Sequence, residues 1–361
     1  MMKKILIIIT TSFVPYGGLT TVVMNYYRAM DKTQINIDIA STNQAPQVLI
    51  DELIQNNSRY YCLGERKKLL NYNKNLYKVL KNKYDVIHVN GNSSTMLIEL
   101  LSAIIAKIPI RIAHVHTTKS NYPFLNCLLK PLFRKTYNKA VAVSKDAGNW
   151  LFKKNYIVLN NAIDIDKYSF CPETRDSVRK QLGIEEKTFV IGNIGKLNYS
   201  KNQQYLIQVF AELHSILQDT KLLIVGGGEL ESVLRKQVQE LNLQQNIIFT
   251  GMVDDASRYI QAFDYFAFTS RFEGLGLALI ESQASGLKCI ISDKVPNEAI
   301  VTNNVKVCSI EGQCMEWAQY ILENRIYNRA EFCRLAKVSI KNNGYDIKSE
   351  AKKLERIYLA K

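Results

Sequence analysis

The sequence predicts an α/β protein of two halves, each a parallel sheet with helices between its strands. Three observations carry this. Short apolar runs recur about 25 residues apart with helical patterns between them, the spacing of βαβ units rather than of hairpins. The series begins afresh near residue 188 with another strand, glycine turn and helix. Charge divides with it: residues 1–165 hold 22 Lys+Arg against 9 Asp+Glu, a balance of +13, and residues 166–361 hold 25 against 24, a balance of +1. At 361 residues the chain is long for one core and suits two domains.

In the first half, strands are expected at Lys4–Ile9, Ile35–Ala40, Tyr84–Val89, Ile108–Val115 and Ala140–Val143. The run Met1-Met-Lys-Lys-Ile-Leu-Ile-Ile-Ile9 is too short for a secretory leader and meets Thr10-Thr-Ser at once, so it reads as a buried strand. No stretch approaches the length needed to span a bilayer. In Pro15-Tyr-Gly-Gly-Leu, Gly17 and Gly18 sit at a strand-to-helix turn, where they admit close backbone approach to a ligand or serve as a plain turn. From Arg66 through Lys83 there is no acid; Leu69, Tyr72, Leu76, Val79 and Leu80 make one helical face and bases the other. Phe124 to Lys135 is again apolar and basic, and its leucines suit core packing or membrane contact. Ile110-Arg-Ile-Ala-His-Val-His116 is a strand ending in His116, a place for a functional imidazole or a hydrogen-bonded scaffold. His114-x-His116 has no Cys or carboxylate cluster beside it, so no metal site is expected there. Ser144 is a helix N-cap by position.

Asn160 to Tyr168 reads as the boundary. Asp164-x-Asp166 imitates the D-x-D motif that holds a metal-diphosphate in some proteins, without the surrounding context. The second half opens with the strand Thr188–Gly195, followed by Lys196 and Lys201 ahead of a helix. Gly195 with two lysines five apart makes a reasonable diphosphate clamp. The strand from Lys221 enters Gly226-Gly-Gly228, which is not the dinucleotide pattern of a nicotinamide enzyme. Asn246–Asp254 is a strand and turn that carries Val253. Asp264–Thr269 is an aromatic strand; after it Glu273 falls in a loop and Glu281 two turns into a helix that stops near Gly286. The N–H groups of Gly274, Leu275 and Gly276 at that helix start favour a phosphate, and the carboxylate further along suits vicinal hydroxyls such as those of a ribose. The strand Leu287–Asp293, a Trp317 helix and a terminal helix over Asp346–Leu359 complete the chain. Seven scattered cysteines without a C-x-x-C pair fit reduced thiols in the cytosol. No helix-turn-helix, RNA-binding aromatic motif or zinc pattern is present, so nucleic acid is not an expected partner.

The pattern S-x-x-E-G-x-x-x-x-x-I-E-x-x-x-x-G from Ser270 to Gly286 resembles the signature of retaining glycosyltransferases of the GT-B fold. More narrowly, the chain resembles the family-4 group that builds bacterial capsule, exopolysaccharide and lipopolysaccharide. R-I-A-H-x-H to His116, S-x-x-A-x-x-W-L from Ser144, N-x-I-D-x-x-x-Y from Asn161, Lys201-Asn202 and L-x-V-G-x-G-x-L from Leu223 extend the likeness over nearly the whole chain. Lys196 stands where the family usually has Arg, Gly276 where it often has Pro, and Lys288 where it favours Pro.

The resemblance implies two Rossmann-like domains facing across a cleft: an acceptor-binding domain at 1–165, a nucleotide-sugar domain at 166–345, and a terminal helix at 346–361 crossing back to the first. It implies transfer of a sugar from a nucleotide-sugar, UDP in preference to GDP, to a hydroxyl of a glycan or polyprenyl-diphosphate-linked acceptor, with retention. The leaving phosphate then acts as base on the front face. His116, Glu273, Lys196 and Lys201 take catalytic roles. Gly17, Gly18, Gly195, Lys196, Lys201, Val253, Gly274, Leu275, Gly276 and Glu281 bind the donor. No metal and no cofactor are implied, and the nucleotide-sugar is a substrate. The expected place is the cytoplasm, with the inner face of an anionic membrane as a candidate partner for the basic half. A nucleotide-sugar epimerase and a non-catalytic partner subunit of the same fold are the alternatives.

Overall fold

The computed structural model describes residues 2–15 and 17–360; Tyr16, in the turn before Gly17, lies outside the described residues. The chain divides into two compact units, Met1–Ala162 with Gly344–Lys361, and Ile163–Asn343. Counted by unit, the charge split is wider than along the chain. Unit 1 holds 27 Lys+Arg against 11 Asp+Glu, a balance of +16, and unit 2 holds 20 against 22, a balance of −2.

Unit 1 is a seven-stranded parallel sheet: β1 (Lys3–Ile9), β2 (Ile35–Ser41), β3 (Tyr60–Cys62), β4 (Val86–Gly91), β5 (Ile110–Val115), β6 (Lys139–Ala142) and β7 (Ile157–Val158), in the order β3-β2-β1-β4-β5-β6-β7. Its central strands are buried because helices cover both faces; Ile5 through Ile9 of β1 are all buried, as are the polar His88 and Asn90 of β4 and His114 of β5. The helix Ile347–Leu359 belongs to this unit. It buries Ala351, Leu354 and Tyr358 and packs on the helix Gly18–Ala29 and on β1. Unit 2 has six parallel strands, β8 (Phe189–Ile194), β9 (Thr220–Val225), β10 (Ile247–Phe249), β11 (Tyr265–Phe268), β12 (Lys288–Ser292) and β13 (Val305–Cys308), in the order β10-β9-β8-β11-β12-β13. In each sheet the order reverses once, between β1 and β4 and between β8 and β11. Loops leaving the carboxyl ends there diverge, and the crevice they open is where such sheets bind ligands.

Two sequence expectations need correction. In the helix Leu69–Leu80 the buried face is Tyr72, Leu76, Val79 and Leu80; Leu69, in the first turn and beyond the core's edge, is half exposed beside Leu70. In the helix Pro123–Phe133 Asn126 and Phe133 are buried and Leu129 is partly buried against the core, whereas Phe124, Leu125, Leu128 and Leu132 face outward, so core packing accounts for only one of its four leucines.

The exits of β8 and β9 are joined backbone to backbone. Gly195 N–H donates to Val225 O at 3.0 Å, Leu197 N–H to Gly227 O at 3.0 Å, and Leu230 N–H to Leu197 O at 3.1 Å. Gly226 holds φ +132° there, and a Cβ would overlap the Gly195 carbonyl oxygen. Gly226→Ala should therefore destabilise unit 2 by about 2–4 kcal/mol, from backbone strain together with overpacking. Urea unfolding checks it; a change within error would mean that the two loops separate without cost.

Candidate functional site

At the β8/β11 reversal, the loop after β8 brings Lys201 and the loop after β11 brings Glu273. Their side chains form an ion pair at 2.5 Å, and Ser270 Oγ–H donates to the same Glu273 oxygen at 2.6 Å. The Glu273 side chain is only 8% exposed, and Lys201 Nζ also lies 5.0 Å above the Phe268 ring. Lys201 arrives there because Asn202 takes the left-handed conformation, φ +56°, at the start of the helix Gln203–Ile216. Lys196 is placed differently. It is exposed and pairs with Glu229 at 3.0 Å, so the two lysines of the predicted clamp hold different carboxylates.

The helix Leu277–Ala284 begins at Gly276, whose φ of +90° favours glycine. A proline could not adopt that φ, which gives the departure from the family pattern a local reason. Among the described residues the N–H groups of Gly274, Leu275 and Gly276 donate to no acceptor. They form a row of donors next to the Lys201–Glu273 pair at a positive helix end. Just over one turn on, Glu281 is buried and accepts from Tyr168 Oη at 2.9 Å. Burial raises its carboxyl pKa above the ordinary value, against the lowering effect of the Tyr168 hydrogen bond. Val253 follows β10, and its loop is tied to the glycine turn by Gly226 N–H donating to Gly251 O at 3.1 Å. Gly195, Lys196, Lys201, Val253, Gly274–Gly276, Glu273 and Glu281 thus all sit on or just past the carboxyl ends of unit 2's strands.

In unit 1, Gly17 and Gly18 lie at the start of the helix Gly18–Ala29. Neither has positive φ, and a Cβ on Gly18 would meet nothing. The turn itself therefore does not demand the second glycine. His116 ends β5, beside β4, and Asn90 Oδ1 accepts from its Nε2 at 2.9 Å. With Nε2 carrying the proton, Nδ1 keeps a lone pair, and that atom is buried with no partner among the described residues. The His116 ring lies tilted against His114 with centroids 4.1 Å apart, and His114 stacks on His88, its Nδ1 meeting His88 Nε2 at 3.1 Å. His88 Nδ1 in turn meets Tyr358 Oη at 2.6 Å. Burial pushes the His88 and His116 pKa values down to about 3 and holds His114 well below its usual value. The row is neutral, and its end presents an acceptor. Among the described residues no group of three or more His, Cys, Asp and Glu side chains could hold a metal ion. Asp164 instead caps the helix Ile165–Tyr168 by accepting from the N–H groups of Asp166 and Lys167.

Sequence reasoning missed Asn90, Tyr168 and Glu229 as partners. Asn90 carries no local signal. It meets His116 only because β4 and β5 pair with Asn90 opposite His114.

Residues 16–167 match the family model described as Glycosyltransferase Family 4, and residues 174–325 match that of Glycosyl transferases group 1. The chain is 26% identical to the glycosyltransferase EpsF of Bacillus subtilis strain 168 over 95% of its own length and 93% of that protein's. It is likewise 26% identical to the UDP-Gal:alpha-D-GlcNAc-diphosphoundecaprenol alpha-1,3-galactosyltransferase of Escherichia coli, over 79% of this chain and 78% of that one. The crystal structure of Anabaena HepE in complex with UDP superposes with a TM-score of 0.77 at 18% identity, covering 98% of this chain and 99% of that one. The shared fold is GT-B.

The histidine row makes unit 1 acid-sensitive. In the unfolded chain these imidazoles protonate at about pH 6.5; in the folded one burial pushes His88 and His116 down to about 3 and holds His114 well below its usual value. The unfolded state binds more protons throughout that window, so stability falls as pH drops through it. Between pH 7 and pH 5 the loss should approach about 2 kcal/mol per histidine. Hydrogen exchange in β1, β4 and β5 at the two pH values measures it, and equal protection at both would mean that the imidazoles are not desolvated.

Proposed function

The chain belongs to glycosyltransferase family 4, and we propose that it moves a sugar from a UDP-sugar to a hydroxyl of a lipid-linked glycan during bacterial surface-polysaccharide synthesis, with retention at the anomeric carbon. The observation that carries the reading is the convergence of Lys201, Glu273 and the Gly274–Gly276 N–H groups at the β8/β11 reversal. A cation and a row of backbone donors there suit a diphosphate, and their fixed orientation favours the charge that develops on it as the glycosidic bond breaks. Glu281, just over one turn along and hydrogen-bonded to Tyr168, is assigned to the ribose hydroxyls. Lys196, exposed and held by Glu229, swings to the diphosphate by exchanging that partner, and the Val253 loop receives the base.

The chemistry balances without an added group. The bond from the anomeric carbon to the leaving diphosphate breaks, the acceptor oxygen bonds to the same carbon, and the acceptor's proton passes to a diphosphate oxygen. Glu273, engaged by Lys201 and Ser270, is poorly placed as a nucleophile. It orients a sugar hydroxyl instead, which favours a single front-face displacement. The lone pair on His116 Nδ1 is assigned to a substrate hydroxyl. In this reading Lys196, Lys201 and the N–H row take the place of a divalent cation, and no cofactor takes part. The +16 of unit 1 supports an anionic acceptor such as a polyprenyl-diphosphate-linked glycan. The acceptor named for the Escherichia coli relative is also a diphosphoundecaprenol-linked sugar.

Calorimetry with UDP and GDP, alongside turnover, tests the assignment. Lys201→Ala should weaken UDP binding by about 1–3 kcal/mol, the scale of a charge-assisted contact. Glu273→Gln should keep UDP affinity, since it frees the lysine, while turnover collapses. Transfer should continue in EDTA. Unchanged affinity in both Lys201→Ala and Glu281→Ala would move the nucleotide elsewhere, and activity lost in EDTA and restored by Mg²⁺ would overturn the fixed-cation account.

A further inference from the structure

We propose that one helical face of unit 1 docks on an anionic lipid bilayer; the inference rests on the lipid-linked acceptor proposed above and names the surface that reaches it. Three neighbouring helices make this face, Leu69–Leu80, Leu97–Ile105 and Pro123–Phe133, the middle one packed on both others. They share an inner cluster but also expose large apolar side chains: Leu70 is 89% exposed, Phe124 82%, Ile105 72% and Leu128 65%, and Leu69 and Leu132 are half exposed. An array of this kind across three adjacent helices is unlike the isolated apolar residues of an ordinary surface.

A polar anchor explains the outward leucines. Asn126 is buried in the helix Pro123–Phe133, where its Oδ1 accepts from Ser94 N–H at 2.8 Å and Ser94 Oγ–H donates to its carbonyl at 2.8 Å. With that side turned inward, Phe124, Leu125, Leu128 and Leu132 are held outward.

The charges on this face choose among occupants. Lys67, Lys68, Lys74, Lys78, Arg134 and Lys135 are all exposed on these helices or their flanks. The acids nearby are already engaged: Glu65 pairs with Lys68 at 3.5 Å, and buried Glu99 pairs with Arg66 at 2.9 Å. Arg66 therefore belongs to the fold and Lys68 is paired at the surface, while Lys67, Lys74, Lys78, Arg134 and Lys135 face outward with little among the described residues to neutralise them. Apolar side chains ringed by unneutralised bases match the interface of an anionic membrane, where leucines and phenylalanine enter the acyl boundary and lysines meet the headgroups. Among the described residues no helix is long and apolar enough to cross a membrane, so contact would be with one leaflet only. The helix N-termini that carry Leu69, Leu70 and Phe124 lie at the carboxyl-end side of the sheet, and the chain runs from His116 to Pro123 in seven residues. Docking there holds the reactive side of unit 1 close to the headgroup layer.

The test is flotation of the full chain with vesicles of phosphatidylcholine alone and of equal parts phosphatidylcholine and phosphatidylglycerol. The wild type should float with the anionic vesicles only and be released near 1 M salt, where the screening length is about 3 Å. Leu70→Glu with Phe124→Glu and Leu128→Glu, and separately Lys67→Glu with Lys68→Glu, should each lower partitioning by about tenfold or more. These residues are exposed, so the thermal midpoint and UDP affinity should stay at wild-type values. Absence of wild-type flotation, equal flotation with neutral vesicles, or unaltered flotation of both variants overturns the docking face. So does a dimer in solution that the apolar variant dissociates without any vesicle binding, because the occupant is then a second copy. UDP binding is read in the same samples: flotation lost with UDP affinity intact refutes this inference alone, whereas wild-type protein that floats without binding UDP refutes the donor assignment and leaves the surface standing.

Discussion

A parallel strand must be followed by a crossover, and a right-handed crossover returns the chain to the same end of the sheet each time. That constraint organises both units. Every loop that carries chemistry leaves a strand's carboxyl end, and only where the strand order reverses do two such loops diverge enough to admit a ligand. Lys201 and Glu273 are 72 residues apart and meet at 2.5 Å because β8 and β11 are neighbours at that reversal. His116 and Asn90 meet at the ends of β5 and β4, next to the corresponding point in unit 1. The sites are consequences of topology before they are consequences of side-chain identity.

Desolvation then decides what the assembled groups can do. In unit 1 it keeps three imidazoles neutral, and neutrality lets them stack and hydrogen-bond in a row without mutual repulsion. Asn90 fixes the direction of the row's last hydrogen bond, and so the chemistry offered at His116 is a lone pair rather than a proton. In unit 2 the same cost is met in two ways. Glu281 is buried with a phenol as partner and has its pKa raised, whereas Glu273 is buried with a lysine and a hydroxyl against one oxygen. One sheet edge thereby holds two carboxylates of different character.

Much of this was legible in the sequence, for identifiable reasons. Strands buried on both faces are rich in Ile, Val and Leu, unbroken in β1 and interrupted by single polar residues or glycine in β4, β5 and β8, so these four announce themselves. Glycine turns and lysines close behind a strand mark the loops that gather at the reversal of strand order. The strands β3, β7 and β13 were not legible. They have two to four residues, only partly buried, and their pairing comes from the neighbour rather than from their own pattern. The partners Asn90, Tyr168 and Glu229 were equally hidden, since strand register and helix packing set a hydrogen bond between distant residues without leaving a periodicity behind. The outward leucines of Pro123–Phe133 misled for a related reason. Apolar spacing tells which residues share a face, but here the inward face is the one that carries the buried Asn126 together with Leu129 and Phe133.

The Lys201–Glu273 pair links these strands of argument. A charged side chain held alone in a poorly solvated loop carries a desolvation cost that only a partner offsets. Pairing supplies that partner to both residues and holds both in place. It also sets the terms on which a diphosphate would bind, because the incoming anion competes for Nζ with a carboxylate already 2.5 Å away. Ser270 holds the same Glu273 oxygen at 2.6 Å, so the carboxylate keeps a donor when the lysine turns toward phosphate. The exchange is then one partner for another on each side rather than the exposure of a buried charge. In the proposed reading this lets Lys201 serve the leaving group while Glu273 remains oriented for a sugar hydroxyl. A site made of either residue alone would have to choose between holding its charge and holding its place.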